Sequence, residues 1–367
     1  MAWRDTFLRH FGPGMLCGIT AGDWFHLLRE HRFAISPSRL PKAVSISCQS
    51  LQNSVLRLYE TWRFGSKVRD TVVPPPLFLL GHWRQGTTHL HNLIAVDDRF
   101  AFPNNYEALY PHTFLTTEAV AARLVGWFLP ERRPMDNVEW DMKSPQEDEF
   151  ALNIASRVSP YMGWMFTRGD YDRYLTLRDA SSTELARWKE ALTLFLKKLT
   201  WKYGRPLVLK SPPHTCRIRL LLDLFPDARF VHIRRDPYAV YASTTHMFRV
   251  NGKLNNLQRP PADTDGWVLR QYRTMYDAYF EERGLIPSGR LVEIGFEDLE
   301  TDPIGQLRHV YENLGLPDFG TAEPALLRYL ASVAGYKKNS FSEIPPAVRD
   351  RIAKEWRPCF EAWGYPV

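Results

Sequence analysis

Leu77-Phe78-Leu79-Leu80-Gly81-His82-Trp83-Arg84-Gln85-Gly86-Thr87-Thr88 is the stretch on which the fold turns. Leu77 to Leu80 form a short apolar run, as a strand buried on both faces requires. Downstream, Leu90, Leu93 and Ile94 recur at helical spacing. A strand, a glycine-bounded loop and a helix make an anion cradle, because backbone N–H groups and a helix N-terminus converge in it. Gly81 and Gly86 have the G-x4-G spacing of a triphosphate loop, but Thr87 stands where that motif needs lysine. Arg84 is the one cation between the glycines. The loop is therefore expected to hold a phosphate without the usual equipment for splitting ATP.

The surrounding chain repeats the strand-and-helix pattern. Ser181 and Glu184 form an S-x-x-E capping signature ahead of Leu185, Trp188, Leu192, Phe195 and Leu199, and Gly204 stands where that helix should stop. The strand 206–209, a helix through Ile218, Leu221, Leu222 and Phe225, and the strand 229–233 follow. A further strand covers 290–294, and Asp302-Pro303 opens a helix as N-cap and first helical residue. This alternation predicts a three-layer α/β/α fold with a central, mostly parallel sheet. Residues 1–74 read as extra N-terminal helices packed on an α/β domain of 75–367. Val44, Leu51, Val55, Leu58 and Trp62 recur there at three- and four-residue steps and their multiples. The triple proline 74–76 ends that region. Polar stretches at 130–148 and 251–266 are expected to be surface loops or lids.

Composition sets bounds on function. In 367 residues, 44% hydrophobic and 24% charged, there is material for a large core. A net charge of +6 suits an anionic ligand, but the basic residues lack the clustering of nucleic-acid binders, so no nucleic-acid partner is expected. Cys17, Cys48, Cys216 and Cys359 have no metal-ligand spacing and are expected as buried free thiols. No apolar stretch is long enough to span a membrane, and the N-terminus is a poor signal peptide. A cytoplasmic location follows as an expectation. Trp83, Tyr106, Tyr110, Phe114, Trp164 and Phe166 suit either an apolar pocket or a core.

A second anion site lies at the end of the 229–233 strand, where Arg234-Arg235-Asp236-Pro237 leads into a helix. Charged groups at the carboxyl end of a parallel strand sit where such sheets bind ligands. Ser243 follows Arg235 by eight residues, which lets an arginine and a hydroxyl about two helical turns apart flank one anion. Alone, the cluster could equally cap a strand end.

Taken together these residues resemble the sulfotransferase family. Arg84-Gln85-Gly86-Thr87-Thr88 is similar to its 5′-phosphosulfate loop, usually a basic residue followed by Ser-Gly-Thr-Thr, with Gln85 departing from the serine. Arg235-Asp236-Pro237 with Ser243 resembles its 3′-phosphate motif. Leu209-Lys210-Ser211 resembles its catalytic strand, and Phe296-Glu297-Asp298-Leu299 a strand end near the adenine. The resemblance implies a P-loop-like sulfotransferase fold and transfer of the sulfuryl group of 3′-phosphoadenosine 5′-phosphosulfate (PAPS) to a hydroxyl or amine, with no metal. Arg84, Gln85, Gly86, Thr87 and Thr88 would then hold the 5′ end, and Arg235 and Ser243 the 3′ phosphate. Phe296 would lie near the base. Lys337 and Lys338, in a basic loop, would close over the phosphates or be an exposed turn.

Catalysis of this kind needs a cation on the leaving oxygen, for which Lys210 and Arg84 are candidates, and a base for the acceptor. By resemblance the base is Glu107, with His214 third; Glu147 joins it as a candidate from the acidic run 147–149, either a solvated helix start or, if buried, a set of like charges that raises one pKa. The acceptor is expected to be a small molecule, sugar or lipid-like compound. The N-terminal helices are candidates for covering it or for forming a homodimer. An ATP-using P-loop kinase and a non-catalytic sensor of adenosine 3′,5′-bisphosphate are the competing readings.

Overall fold

The computed structural model describes residues 14–128, 141–259, 263–335, 341 and 343–367. Lys337, Lys338 and residues 130–140 of the 130–148 stretch lie outside them. Four short strands, β1 (Leu77–Leu80), β2 (Val208–Lys210), β3 (Arg229–Arg234) and β4 (Leu291–Gly295), form one parallel sheet in the order β2-β1-β3-β4. β1 is wholly apolar because both faces are covered, and the other strands set apolar residues around Lys210, His232 and Glu293. The register pairs Leu79 with Lys210 on one side and with Val231 on the other, so these three side chains share a face. On that face Leu77, Leu79 and Val231 pack with Leu90, Leu93 and Ile94 of the helix Thr87–Ile94 and with Val310 and Leu314 of the helix Pro303–Leu314. Phe78 and Phe230 point the other way and stack on each other at 5.7 Å between centroids. Tyr276 and Tyr279, from the helix Thr264–Glu282, cover that second face through His232. The three-layer α/β/α expectation therefore holds.

The chain clusters into two compact units. One comprises 1–73, 103–204 and 248–262, and the other 74–102, 205–247 and 263–367. The first boundary falls at 73/74, beside the triple proline, and the N-terminal helices group with 103–204 and 248–262. In the first unit, Ser181 and Glu184 form a full capping box on the helix Ser182–Tyr203, and Gly204 ends it at φ 63°. Two boundaries differ from the sequence expectation. Residues 251–255 continue the helix Pro237–Asn255, and the next helix has begun by Thr264, so of the described residues of 251–266 only 256–259 and 263 are outside helices. Of the cysteines, Cys17, Cys216 and Cys359 are buried, whereas Cys48 is exposed on the helix Leu40–Arg69.

Candidate functional site

The chain leaves β1 towards β2 on one side and β3 towards β4 on the other, which opens a crevice at the carboxyl ends of the neighbouring β1 and β3. The loop Gly81–Gly86 occupies that position. Gly81 has φ 145°, and a Cβ there would stand 2.9 Å from the Ile233 carbonyl oxygen. Gly86 has φ 94° and caps the helix Thr87–Ile94, and a Cβ there would come within 2.2 Å of the Phe296 ring. Both glycines are required by their backbone conformation and by close packing. The N–H of Gly81 donates to Thr215 Oγ1 at 2.7 Å.

Gln85 is fully buried and turned inward. Its Oε1 accepts the His82 backbone N–H at 2.6 Å and the hydroxyl of Tyr276. The residue that departs from the family serine therefore ties the loop to the helix beneath it. His82 is buried with it, and loss of water drives its imidazole pKa down to about 3, so it is neutral.

The two anion motifs form one hydrogen-bonded cluster. Arg84 Nε donates to Ser243 Oγ at 2.9 Å, and Arg235 donates to the Arg84 carbonyl oxygen at 2.9 Å. The Arg235 guanidinium lies 4.1 Å from the centroid of the Phe296 ring, the same ring that closes on Gly86. Arg84 adopts φ 70°, an uncommon conformation for a side-chain-bearing residue, which its two contacts hold in place. Burial lowers the Arg235 pKa from its ordinary value, which leaves the group charged at any working pH. Phe296 opens the short helix Phe296–Thr301 directly after β4.

Lys210 ends β2 and is buried, with Nζ 3.5 Å from Thr88 Oγ1 in the first turn of the loop's helix. His91 is buried beside it. Burial first and the Lys210 charge second hold that imidazole neutral. His214 lies elsewhere, in the short 3-10 helix Pro212–Cys216, with its ring edge-on to Phe78 at 5.3 Å. Phe78 and Lys210 sit on opposite faces of the sheet, so His214 packs on the face away from Lys210 and Thr88.

The two carboxylate candidates belong to the other compact unit. Glu107 completes a capping box with Asn104 on the helix Asn105–Leu109. One carboxylate oxygen accepts the Asn104 N–H, and the other accepts Lys202 Nζ at 2.7 Å and the Tyr203 hydroxyl at 2.8 Å. Burial pushes its pKa up against the pull of Lys202, and both oxygens are engaged. The signal was present in sequence, since Asn104-x-x-Glu107 has the same form as Ser181-x-x-Glu184. Glu147 is partly exposed and accepts the Tyr161 hydroxyl. Tyr276, 191 residues from Gln85, gave no local signal at all.

The model of the sulfotransferase family matches residues 75–320. The omega-hydroxy-beta-dihydromenaquinone-9 sulfotransferases Stf3 of Mycobacterium bovis and Mycobacterium tuberculosis are each 39% identical over 361 residues, covering 97% of this chain and 92% of theirs. Among solved structures, sulfotransferase STF9 of Mycobacterium avium superposes with a TM-score of 0.74 at 19% identity, over 95% of this chain and 97% of that one. STF1 of Mycobacterium tuberculosis gives 0.67 at 17% identity, over 92% and 94%. The family match, the near-complete coverage by a 39%-identical relative and the shared fold agree with the two motifs, and the chain belongs to the sulfotransferase family as a sulfuryl-transferring enzyme.

Proposed function

We propose that this enzyme takes its sulfuryl group from PAPS through the Arg84–Ser243–Arg235 cluster and delivers it to the hydroxyl of a lipid-like acceptor. The observation that carries the donor half is the linkage of the two motifs, with Arg84 donating to Ser243 and Arg235 to the Arg84 carbonyl. A donor with both a 5′ phosphosulfate and a 3′ phosphate needs cations for two anions a nucleoside apart. The glycine conformations and the helix start at Thr87 suit the 5′ end. Arg235 and Ser243 suit the 3′ phosphate, and the Arg84 side chain joins them. Lys210, aimed at Thr88, and Arg84 supply positive charge as the leaving phosphate gains negative charge. Positioning and electrostatics of this kind are what transfer at a group already activated by its anhydride bond requires.

For the acceptor's proton we favour Glu147, whose carboxylate is partly exposed and fixed by Tyr161, over Glu107, whose oxygens hold a helix cap and the half-buried Lys202. His214 takes a packing role against Phe78. A lipid-like acceptor is supported by the Stf3 relatives, named for a hydroxylated dihydromenaquinone.

Thermal unfolding with adenosine 3′,5′-bisphosphate, compared with ATP and magnesium, tests the donor. Ligand at ~100 times its dissociation constant adds about 2.7 kcal/mol if it binds only the native state. Stabilisation by ATP and magnesium with none by the bisphosphate would overturn the donor assignment. Arg235→Ala should weaken the bisphosphate at least about tenfold more than adenosine 5′-phosphate, a difference of about 1.4 kcal/mol. Equal losses would remove Arg235 from the 3′ site.

A further inference from the structure

The helix Leu40–Arg69 is built inside out. Its buried face carries Lys42, Ser50, Asn53 and Glu60 alongside Ala43, Ile46 and Val68. Each of these polar groups is satisfied inside the unit. Lys42 donates to the Leu254 carbonyl, Ser50 to the Ser47 carbonyl, and Asn53 to the carbonyls of Cys17 and Ile19. Glu60 accepts from Lys198 Nζ and the Thr116 N–H. The opposite face exposes Val44 at 61%, Leu51 at 64%, Val55 at 68%, Leu58 at 73% and Trp62 at 79%. These positions fall within one narrow arc of the helix and run for about 27 Å along it. A face of this size and continuity marks an interaction surface.

Charge identifies the occupant. Arg57, Arg63, Lys67 and Arg69 are all exposed on the same helix, and its one acid, Glu60, is buried against Lys198. Arg63 lies about 110° around the helix from the centre of the stripe, Arg57 about 130° the other way towards the buried face, and Arg69 at the stripe's C-terminal end. In a pairing of two copies the basic residues of this helix would meet their own copies, with Asp70 at its C-cap the one exposed acid the helix offers in answer. An anionic lipid surface answers both features, since acyl chains accept the stripe and headgroups accept the arginines.

We propose that this helix docks the enzyme on anionic membrane surfaces, lying in the interface with Val55, Leu58 and Trp62 immersed. The inference rests on the helix alone and not on the identity of the acceptor, because binding is read without turnover. The test is co-sedimentation of the full chain with phosphatidylcholine vesicles, with and without phosphatidylglycerol. The wild type should pellet with the anionic vesicles and be released by salt, because the arginine contribution is screened. Leu58→Asn with Trp62→Asn should lower the partition coefficient at least about tenfold. The unfolding temperature and its rise with adenosine 3′,5′-bisphosphate should stay unchanged, showing that the variant is folded. A wild type left in the supernatant with anionic vesicles overturns the proposal, as does a double variant that pellets equally well. So does a variant that converts a dimer to a monomer in sedimentation without altering vesicle binding, which would assign the face to a second copy.

Discussion

Gln85→Ala should damage the donor loop more than Tyr276→Phe, although both changes break the same hydrogen bond. Gln85 Oε1 accepts from two buried donors, the His82 N–H at 2.6 Å and the Tyr276 hydroxyl. Tyr276→Phe removes one donor together with its bond and keeps the ring against Tyr272, 4.6 Å away between centroids. A loss of about 1 kcal/mol is expected. Gln85→Ala takes the short acceptor from both buried donors and leaves only the 3.4 Å contacts of the Tyr276 hydroxyl with the His82 N–H and with His232, so a loss of about 2–4 kcal/mol is expected. In Tyr276→Phe the second change strands only the His82 N–H, and the double variant should therefore cost about 1–2 kcal/mol less than the sum. Urea midpoints of the four proteins measure the cycle. Titration calorimetry with adenosine 3′,5′-bisphosphate measures the loop itself, because a disordered loop lowers affinity by the fraction that is competent. Gln85→Ala should bind at least about tenfold more weakly. Strictly additive losses, or a Gln85→Ala protein no worse than Tyr276→Phe, would refute the assignment of Gln85 as the tie between loop and helix.

Three further outcomes follow from the same geometry. Lys210→Ala should lower kcat by about 100-fold to 1,000-fold while the bisphosphate affinity changes little, since charge on the leaving oxygen matters most in the transition state; equal losses in both would make Lys210 a binding residue. Glu147→Gln should abolish turnover at unchanged bisphosphate affinity and unfolding temperature, whereas Glu107→Gln should lower the unfolding temperature by disturbing its contacts with Lys202 and Tyr203; an active Glu147→Gln enzyme would place the base elsewhere. His82 is neutral in the native state, with a pKa of about 3 against an ordinary value near 6.5, so the unfolded chain binds the extra proton between those values. Its contribution to stability is full above pH 6.5 and falls by about 1.4 kcal/mol per pH unit towards pH 3. A His82→Gln protein whose midpoint falls as steeply with acid as the wild type would show that other groups carry the effect.

The strands and most helix ends were legible because their signals are local. Leu77–Leu80, the Ser181–Glu184 box and Asp302-Pro303 each carry their instruction within a few residues. What a periodic helix buries was not legible. Val44, Leu51, Val55, Leu58 and Trp62 mark the helix correctly, yet the face they make is the exposed one. Periodicity reports that two faces differ, and the inward face is decided by distant partners such as Lys198 for Glu60 and the Leu254 carbonyl for Lys42. Glu107 was weighed as a base for the same reason. A buried glutamate that caps a helix and one that takes a proton have the same sequence, and Lys202 and Tyr203 lie 95 and 96 residues away.

The sheet register separates two groups that the sequence places four residues apart. Lys210 and His214 stand on one short stretch, and proximity in sequence made the histidine a plausible partner for the lysine. Pairing of Leu79 with Lys210 fixes the lysine on the face covered by the loop's own helix. The 3-10 helix Pro212–Cys216 then turns the chain, and His214 comes to rest on Phe78, whose side chain must point the opposite way because strand side chains alternate. The two prolines at 212 and 213 begin that 3-10 helix. Thr215, one residue further, reaches back to the Gly81 N–H and fixes the start of the loop. This stretch thus reaches the loop through Thr215, while Lys210 reaches Thr88 at the start of the loop's helix.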